Sequence, residues 1–374
     1  MPRTADAVGR SVPGVSPQDV IGRDIGLLRD VMTNWFESRG VAVARLDGLT
    51  YPVGAGQSNE TLLFTLVEPN DAVQELVLRI APGSYALFMD PRFREQQMLL
   101  KMLGEGHHVR VPEILWQEDD PSVIGQPFFI MRRLPGWVPV SQPPYNAAGR
   151  LFEATPRERE RLWQNALIEL TRIHRTPVEA LGFLSRGTDG SGLKQQFDHD
   201  VAAFRWALAG REVPYLEDAL EWLVAHFPQT PVDGLSWGDA RIGNMMFDDR
   251  FNLTGVLDWE QCSLAGGEQD LGWWLLFDTL YSKSIGLERL PGLGDRATTI
   301  AAWEALTGQR ATALPWYEYY SGFRLATIYL RKTQLDRMSL PGANIGNNLF
   351  TRLMSDLRDL PPPPDMLETY ASRP

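Results

Sequence analysis

The apolar positions of this chain fall into helical and strand-like runs that divide it into an early β-rich part and a later helical part. From Pro17 to Gly40, Val20, Ile25, Leu28, Val31, Met32 and Trp35 give helical spacing, with Gly40 as the stop. Leu49 to Leu66 then reads as strand, glycine turn, strand, with Gly54 and Gly56 in the turn and Ser58 and Asn59 just after it. Glu75–Ile80, Val111–Trp116 and Pro127–Met131 are further strand-like runs, the last two separated by Asp119-Asp120-Pro121. Between the first two of these lies a helix, N-capped by Asp90, with Pro91 in its first turn and Gly104 as its stop. Pro135-Gly136 marks the exit from the β-rich part.

Beyond Gly136 the pattern is mainly helical. Thr155-Pro156-Arg157-Glu158 is a capping box with proline at the first helical position, and Leu162, Ala166, Leu170 and Ile173 form one apolar face as far as His174. Two more helices are expected at about 193–209 and 214–227, another from Gly267, and two or three in the last hundred residues. Pro361–Pro364 ends the folded part. The expected division is a loose Gly-, Pro- and Ser-rich tail at 1–17, a first lobe at 18–134 and a second at 135–374.

One stretch breaks the helical run. Ser236 to Trp259 contains two short apolar segments, Met245–Phe247 and Leu253–Leu257, around the polar turn Asp248–Asn252, which is a hairpin pattern. Asn244 stands at the start of the first strand and Asp258 at the end of the second, so folding the hairpin is expected to bring them together. A carboxylate and an amide oxygen at one hairpin base suit a hard cation such as Mg²⁺. Asp239, five residues before Asn244 in a glycine-containing loop, could accept a proton from a substrate hydroxyl. A surface hairpin with ordinary turn residues would share the spacing alone, but would not require the second aspartate.

Composition narrows the classes. The 374 residues are 44% hydrophobic and 22% charged, ordinary for a globular protein, and no apolar run is long enough for a membrane helix. The N-terminal segment has no apolar core of the signal-peptide kind. The single cysteine, Cys262, permits no internal disulfide and fits a reducing cytoplasm; a core role is expected for it rather than a nucleophilic one. A formal charge of −11 argues against a nucleic-acid partner and is compatible with cationic small molecules. The five histidines show no zinc-ligand spacing. Neither a nucleic-acid nor a membrane partner is expected, and the oligomeric state is open.

Asp, then Asn five residues on, then Asp after a hairpin is the arrangement used in kinase-type phosphoryl transfer. The stretch resembles the catalytic segment of the aminoglycoside phosphotransferase family, usually His-Gly-Asp-x-x-x-x-Asn followed by Ile/Leu-Asp-Trp; here Trp237 stands where the family usually has His. The resemblance extends over roughly residues 45–280 in the family's order of elements. It implies a two-lobed, protein-kinase-like α+β fold, with a small antiparallel-sheet lobe plus helix and a larger, mainly helical lobe. It also implies ATP- and Mg²⁺-dependent phosphorylation of a small-molecule hydroxyl. Asp239 would be the catalytic base, and Asn244 and Asp258 would hold the metal. Gly54, Gly56, Ser58 and Asn59 would cover the phosphates. Arg79 takes the place of the usual lysine, paired with Glu95, which borders the apolar face made by Met98, Leu99 and Met102. Met131, Arg132 and Arg133, with Leu134, form the candidate adenine hinge.

Asp270 is expected to order the catalytic loop, and His174 to pack or cap. The acceptor pocket should involve the C-terminal helices, with Asp270, Trp273 and Asp278 near it by sequence. The acceptor could be an aminoglycoside, as in antibiotic-resistance enzymes. It could also be a hydroxyacyl-type molecule, because the Gly-Gln-Ser-Asn, Val-Leu-Arg and Val-Leu-Asp-Trp-Glu segments are similar to kinase-like domains found with acyl-CoA dehydrogenases. A different class, a nucleotide-binding pseudokinase, would account for Trp237 and Arg79. A protein kinase fits less well, since Asp258 is followed by Trp259-Glu260.

Overall fold

A computed structural model of the chain describes residues 23–52, 58–83, 85–106, 108–336 and 342–368. Strands β1 (Arg45–Thr50), β2 (Glu60–Val67), β3 (Val73–Ile80), β4 (Ile114–Glu118) and β5 (Phe128–Arg132) form one antiparallel sheet in the order β1-β2-β3-β5-β4. Successive strand residues face opposite sides, and the sheet uses both. Leu62, Phe64, Leu66, Leu76, Leu78 and Ile130 pack on helix α1 (Ile25–Ser38) through Leu28, Met32, Trp35 and Phe36. Val77, Phe129 and Met131 belong instead to the cluster that contains Leu99, Leu100 and Leu103 of helix α2 (Phe93–Gly106). Each helix thus seals one face of the sheet.

Helix boundaries differ from expectation for local reasons. Among the described residues α1 begins after Asp24, whose side chain accepts the Leu27 amide at 3.0 Å. Asp90 caps a turn rather than α2 itself: it accepts the Arg92 amide at 3.3 Å, and Arg92 has φ 44°, outside the helical region. The helix therefore starts at Phe93, and it runs through Gly104 to Gly106.

The chain leaves the sheet at Gly136, where φ is 126° and an added Cβ would meet the Phe247 carbonyl at 2.3 Å, so only glycine fits. Trp137 and Phe247 then exchange main-chain hydrogen bonds of 2.9 and 2.8 Å, pinning the exit onto the hairpin of β6 (Met245–Phe247) and β7 (Leu253–Val256). The remainder is helical: α3 (Pro156–His174), α4 (Gly192–Leu208), α5 (Pro214–Ala225), α6 (Gly267–Leu280), α7 (Arg296–Thr307), α8 (Leu314–Leu335) and α9 (Leu349–Leu357). The capping box at Thr155 and Glu158 is formed. Helix α6 is buried nearly all round, as befits a helix without a polar face. Gly272 lets α6 approach α8 closely, since a Cβ there would lie 2.7 Å from that of Tyr317. Phe197, Phe204, Leu216, Leu220, Trp316 and Phe323 close α4, α5 and α8 into a second cluster. Among the described residues no helix is long and apolar enough to cross a membrane. The two-lobed α+β architecture expected from the sequence is the one observed.

The small lobe's core is its own cluster, and Phe36 lies at its centre, fully buried and edge-on to Trp35 and Trp116 at 5.2 and 5.3 Å. Phe36→Ala should cost about 3–5 kcal/mol of stability. Chemical denaturation followed by tryptophan fluorescence measures it, and a loss below about 1 kcal/mol would contradict this account of the core.

Candidate catalytic site

The site is assembled on the β6–β7 hairpin. Met245 pairs with Val256, and the Leu257 amide donates to the Asn244 carbonyl at 2.9 Å. Asn244 therefore faces Leu257, and Asp258 comes one residue later, not directly opposite as the hairpin pattern suggested. Asp258 turns out of the strand with φ 53°, uncommon for a residue other than glycine. The Trp237 indole N–H holds this turn, donating to the carbonyls of Leu257 and Asp258 at 2.8 and 3.0 Å.

Asp239 is oriented by three donors. Its Oδ1 accepts from Trp273 Nε1 at 2.8 Å and Arg241 Nε at 3.0 Å, and its Oδ2 accepts from Asn244 Nδ2 at 2.6 Å. Asn244 has thus committed its amide nitrogen, which leaves its oxygen as the atom for a cation. Arg241 is itself held by Ser141 Oγ at 3.1 Å and lies over the Phe277 ring. The sequence reading missed Arg241, although a cation inside the Asp-x-x-x-x-Asn spacing was a visible signal.

Behind this loop stands Asp270, with no exposed surface. Its carboxylate accepts from Ser236 Oγ (2.7 Å), the Trp237 amide (2.6 Å), the Gly238 amide (2.8 Å) and His174 Nε2 (3.0 Å). His174 Nδ1 in turn meets the Trp303 indole nitrogen at 3.0 Å. An indole N–H only donates, so Nδ1 is the acceptor and the ring proton sits on Nε2, directed at Asp270. His174 therefore links helix α7 to the catalytic loop rather than merely filling space. Gly238 completes the loop with φ 92°; a Cβ there would come within 2.1 Å of the Gln261 carbonyl.

The small lobe contributes Arg79, on β3. Its Nη1 lies 3.4 Å from Asp258 Oδ1 and its Nη2 4.0 Å from Glu260 Oε2, while its buried Nε has no partner among the described residues. The expected Arg79–Glu95 pair is not formed. Two carboxylates of the 258–260 segment meet the guanidinium, and Glu95 faces Arg92, one turn earlier, at 3.8 Å. Ser58 Oγ and Asn59 Nδ2 both donate to Glu260 Oε2, the latter at 2.8 Å. Burial, together with the neighbouring Asp258, pushes the Glu260 carboxyl up to about 7. Gly54 and Gly56 lie outside the described residues.

Two amides of the expected hinge, Met131 to Leu134, are tied into the sheet. Met131 sits within β5, paired with Val77 and Ile114. The amides of Arg132 and Arg133 already donate to the carbonyls of Glu113 and Glu75 at 2.9 and 3.0 Å. Their half-exposed side chains lie 3.0 and 4.0 Å from those same glutamates. Sheet pairing runs further than the strand pattern indicated, so neither amide is open to a base edge. Cys262 is buried and its thiol is pushed up to about 12 by that burial, which fits a core role.

A cavity of about 50 Å³ lies between the 87–89 segment, α4 and α8, with Gln261 in its wall. Its lining includes Leu87, Phe88, Trp206, Ile328, Asp200 and Arg324. The buried Arg324 joins the two regions: it reaches the Gly238 carbonyl (3.5 Å), Gln261 Oε1 (2.9 Å) and Asp200 (3.1 Å), and lies over the Trp273 ring. None of these α4 and α8 residues was marked in the sequence as a site residue; they look like ordinary helix faces there. Asp278, by contrast, is enclosed with Arg289 at 2.9 Å and Tyr145 at 3.4 Å, and burial pushes its carboxyl up. No group of three or more His, Cys, Asp or Glu positioned for a metal occurs among the described residues.

Comparison with known proteins agrees with this geometry. Residues 50–308 match the phosphotransferase enzyme family. A probable acyl-CoA dehydrogenase of Arabidopsis thaliana is 27% identical over an alignment covering 74% of this chain and 35% of the relative. The chain spans about a third or less of the length of the curated relatives it matches. Among solved structures, a candidate aminoglycoside phosphotransferase from Ralstonia eutropha superposes with a TM-score of 0.63 at 21% identity, covering 88% of this chain and 98% of that one. A thermostable mutant of an aminoglycoside phosphotransferase, in ternary complex with ADP and hygromycin B, gives 0.54 at 15% identity, covering 87% of this chain and 97% of that one.

Replacing Asp270 by Asn would leave at least one of its four donors facing an NH₂ group. Asp270→Asn should therefore cost about 3 kcal/mol of stability. Denaturant titration gives the number, and an unchanged midpoint would show that the loop does not depend on this carboxylate.

Proposed function

The chain belongs to the phosphotransferase enzyme family, and from that membership we propose that it is a kinase transferring the γ-phosphoryl group of ATP, with Mg²⁺, to a hydroxyl of a small molecule. The observation that carries this reading is the convergence of Asp239, Asn244 and Asp258 at the base of one hairpin, with Arg79 of the small lobe against Asp258.

The donor set fits the metal. Mg²⁺ takes hard oxygens and is held by one or two protein carboxylates, with phosphates and water completing its shell. Asp258 and the Asn244 amide oxygen supply such atoms, and the absence of a denser acidic cluster among the described residues is consistent with a site that the phosphates complete. When bound, Mg²⁺ would offset charge on the β- and γ-phosphates. Asp239 would accept the proton as the acceptor oxygen bonds to phosphorus and the bond to the β-phosphate oxygen breaks, releasing ADP. Trp273, Arg241 and Asn244 fix its carboxylate for that role, so the work is positioning rather than covalent chemistry. Arg79, with an unsatisfied Nε, would contact the phosphate chain. The ADP bound in one structural relative supports the nucleotide.

The cavity beside Arg324 bears on the acceptor. A polycationic aminoglycoside needs several free carboxylates. Of the residues lining this cavity only Asp200 is acidic, and Arg324 and Tyr320 already engage it, while Leu87, Phe88, Trp206 and Ile328 are apolar. With room for only about 50 Å³, this lining would take no more than a short apolar segment of an acceptor, such as part of the acyl chain of a hydroxyacyl molecule. The similarity to acyl-CoA dehydrogenase family proteins points the same way.

Asp239→Ala should lower kcat by about 10³-fold and leave the Kd for Mg²⁺-ATP within about threefold. A coupled ADP-release assay over hydroxyacyl-CoAs, amino alcohols and aminoglycosides, alongside nucleotide titration, measures both. Equal turnover in the mutant would remove Asp239 from the chemistry; binding without turnover of any acceptor in the native protein would favour a pseudokinase.

A further inference from the structure

Three side chains of the small lobe converge on one carboxylate of the large lobe. Ser58 and Asn59, at the start of β2 and only 7% and 3% exposed, both donate to Glu260, 202 and 201 residues away in the chain. Arg79, across from them on β3 through the Thr61–Arg79 register pair, brings its Nη2 to 4.0 Å from the same oxygen. Glu260 also sits two residues after Asp258, so one short segment carries both a candidate metal ligand and the acceptor for the two residues that precede β2. The arrangement leaves Asn59 Oδ1 and Arg79 Nε buried and, among the described residues, without a hydrogen-bond partner. Buried polar atoms in that condition are costly unless a further group meets them.

We propose that Glu260 is a positioning residue of the nucleotide site: its carboxylate clasps Ser58 and Asn59 from the opposite lobe and so sets the spacing between the residues that lead into β2 and the Asp258 segment. This rests on the kinase reading above and deepens it. The role is distinct from that of Asp258, because the atoms Glu260 engages belong to the small lobe. It is also distinct from a simple packing role, because the interaction needs only an acceptor atom at one place. A glutamine there keeps an oxygen for Ser58 and Asn59, whereas an alanine removes it. Clasping affects how the nucleotide is held before transfer and leaves Asp239 and its three donors untouched. The consequence is therefore a change in KM for ATP rather than in kcat.

The test compares Glu260→Ala and Glu260→Gln in the full chain by two readouts. Hydrogen–deuterium exchange reports the start of β2 without any ligand, and steady-state kinetics reports KM and kcat for Mg²⁺-ATP. The expected result is faster exchange over residues 58–62 and a KM raised about tenfold in the alanine variant, with kcat within about threefold. Both should be largely restored in the glutamine variant. In ligand-free exchange, the Ser58→Ala/Asn59→Ala double variant should reproduce the faster exchange of Glu260→Ala and add little to it when combined, which keeps the test open even if one variant folds poorly. Unchanged exchange in Glu260→Ala would overturn the clasp. So would a glutamine variant as impaired as the alanine one with an increased Mg²⁺ requirement, since the carboxylate would then be a metal ligand. Failure of the native protein to bind Mg²⁺-ATP would sink the kinase reading instead, and exchange alone would then decide the clasp.

Discussion

Asp270 is a carboxylate with no exposed surface, and the catalytic loop takes its shape from the need to satisfy it. A buried charge of this kind is tolerated only where several donors converge on it. Here the donors are two consecutive loop amides, a serine hydroxyl and a histidine whose ring is aimed by an indole on another helix. Fixing the Trp237 and Gly238 amides on one carboxylate fixes the direction in which the chain emerges at Asp239. The same helix that carries Asp270 carries Trp273, which donates to Asp239 one turn later. Helix α6 therefore holds the first four residues of the loop, Ser236 to Asp239, and its burial nearly all round keeps those two contacts in register.

Trp237 shows how the departure from the usual histidine is absorbed. Its ring fills the core completely, and its single donor reaches past the loop to the carbonyls of Leu257 and Asp258. The carbonyls so engaged flank the left-handed turn that carries Asp258 away from the strand. One indole thus ties the residue proposed to take the proton to the residue proposed to hold the metal, so the substitution adds a connection rather than removing one. A residue in a strained backbone region persists only where its surroundings over-determine it, and this indole is one such constraint.

What was legible in the sequence was what is local. The hairpin strands, the capping box at Thr155 and the helices at 192–208 and 214–225 follow from spacing within a few residues, and the structure places them within one or two residues of expectation. What failed was long-range pairing. Arg79 was assigned to Glu95 by order of elements, but its partners come from a segment 179 residues away. The amides of Arg132 and Arg133 look like free hinge groups only while the carbonyls of Glu113 and Glu75 are out of view. Arg324 and the α4 face were silent for the same reason, since a helix face lining a cavity and one lining a core have the same period. Asp90 failed differently: local signals for a cap were present, but its Arg92 contact caps a turn that precedes the helix.

The meeting of the lobes carries a charge problem that bears on how a nucleotide would enter. Asp239, Asp258 and Glu260 stand close enough that, after burial, Asp258 is the next cause of Glu260's raised proton affinity and Asp239 a further one. Arg79 and Arg241 oppose them, but Arg241 is spent on Asp239 and Arg79 reaches Asp258 only at 3.4 Å. Phosphates entering this half-buried site alone would add like charge to like charge, which a cleft of reduced dielectric resists more strongly than water does. On the proposed function a divalent cation, with Asp258 among the residues that would hold it, would reverse that sign locally and favour ATP as its metal complex. On the far side of the loop the balance is opposite, because Arg324 and Arg331 border a cavity whose one carboxylate is already engaged. Charge is therefore divided between two regions: acidic around Asp239, Asp258 and Glu260, and basic with apolar walls in the cavity that Arg324 borders.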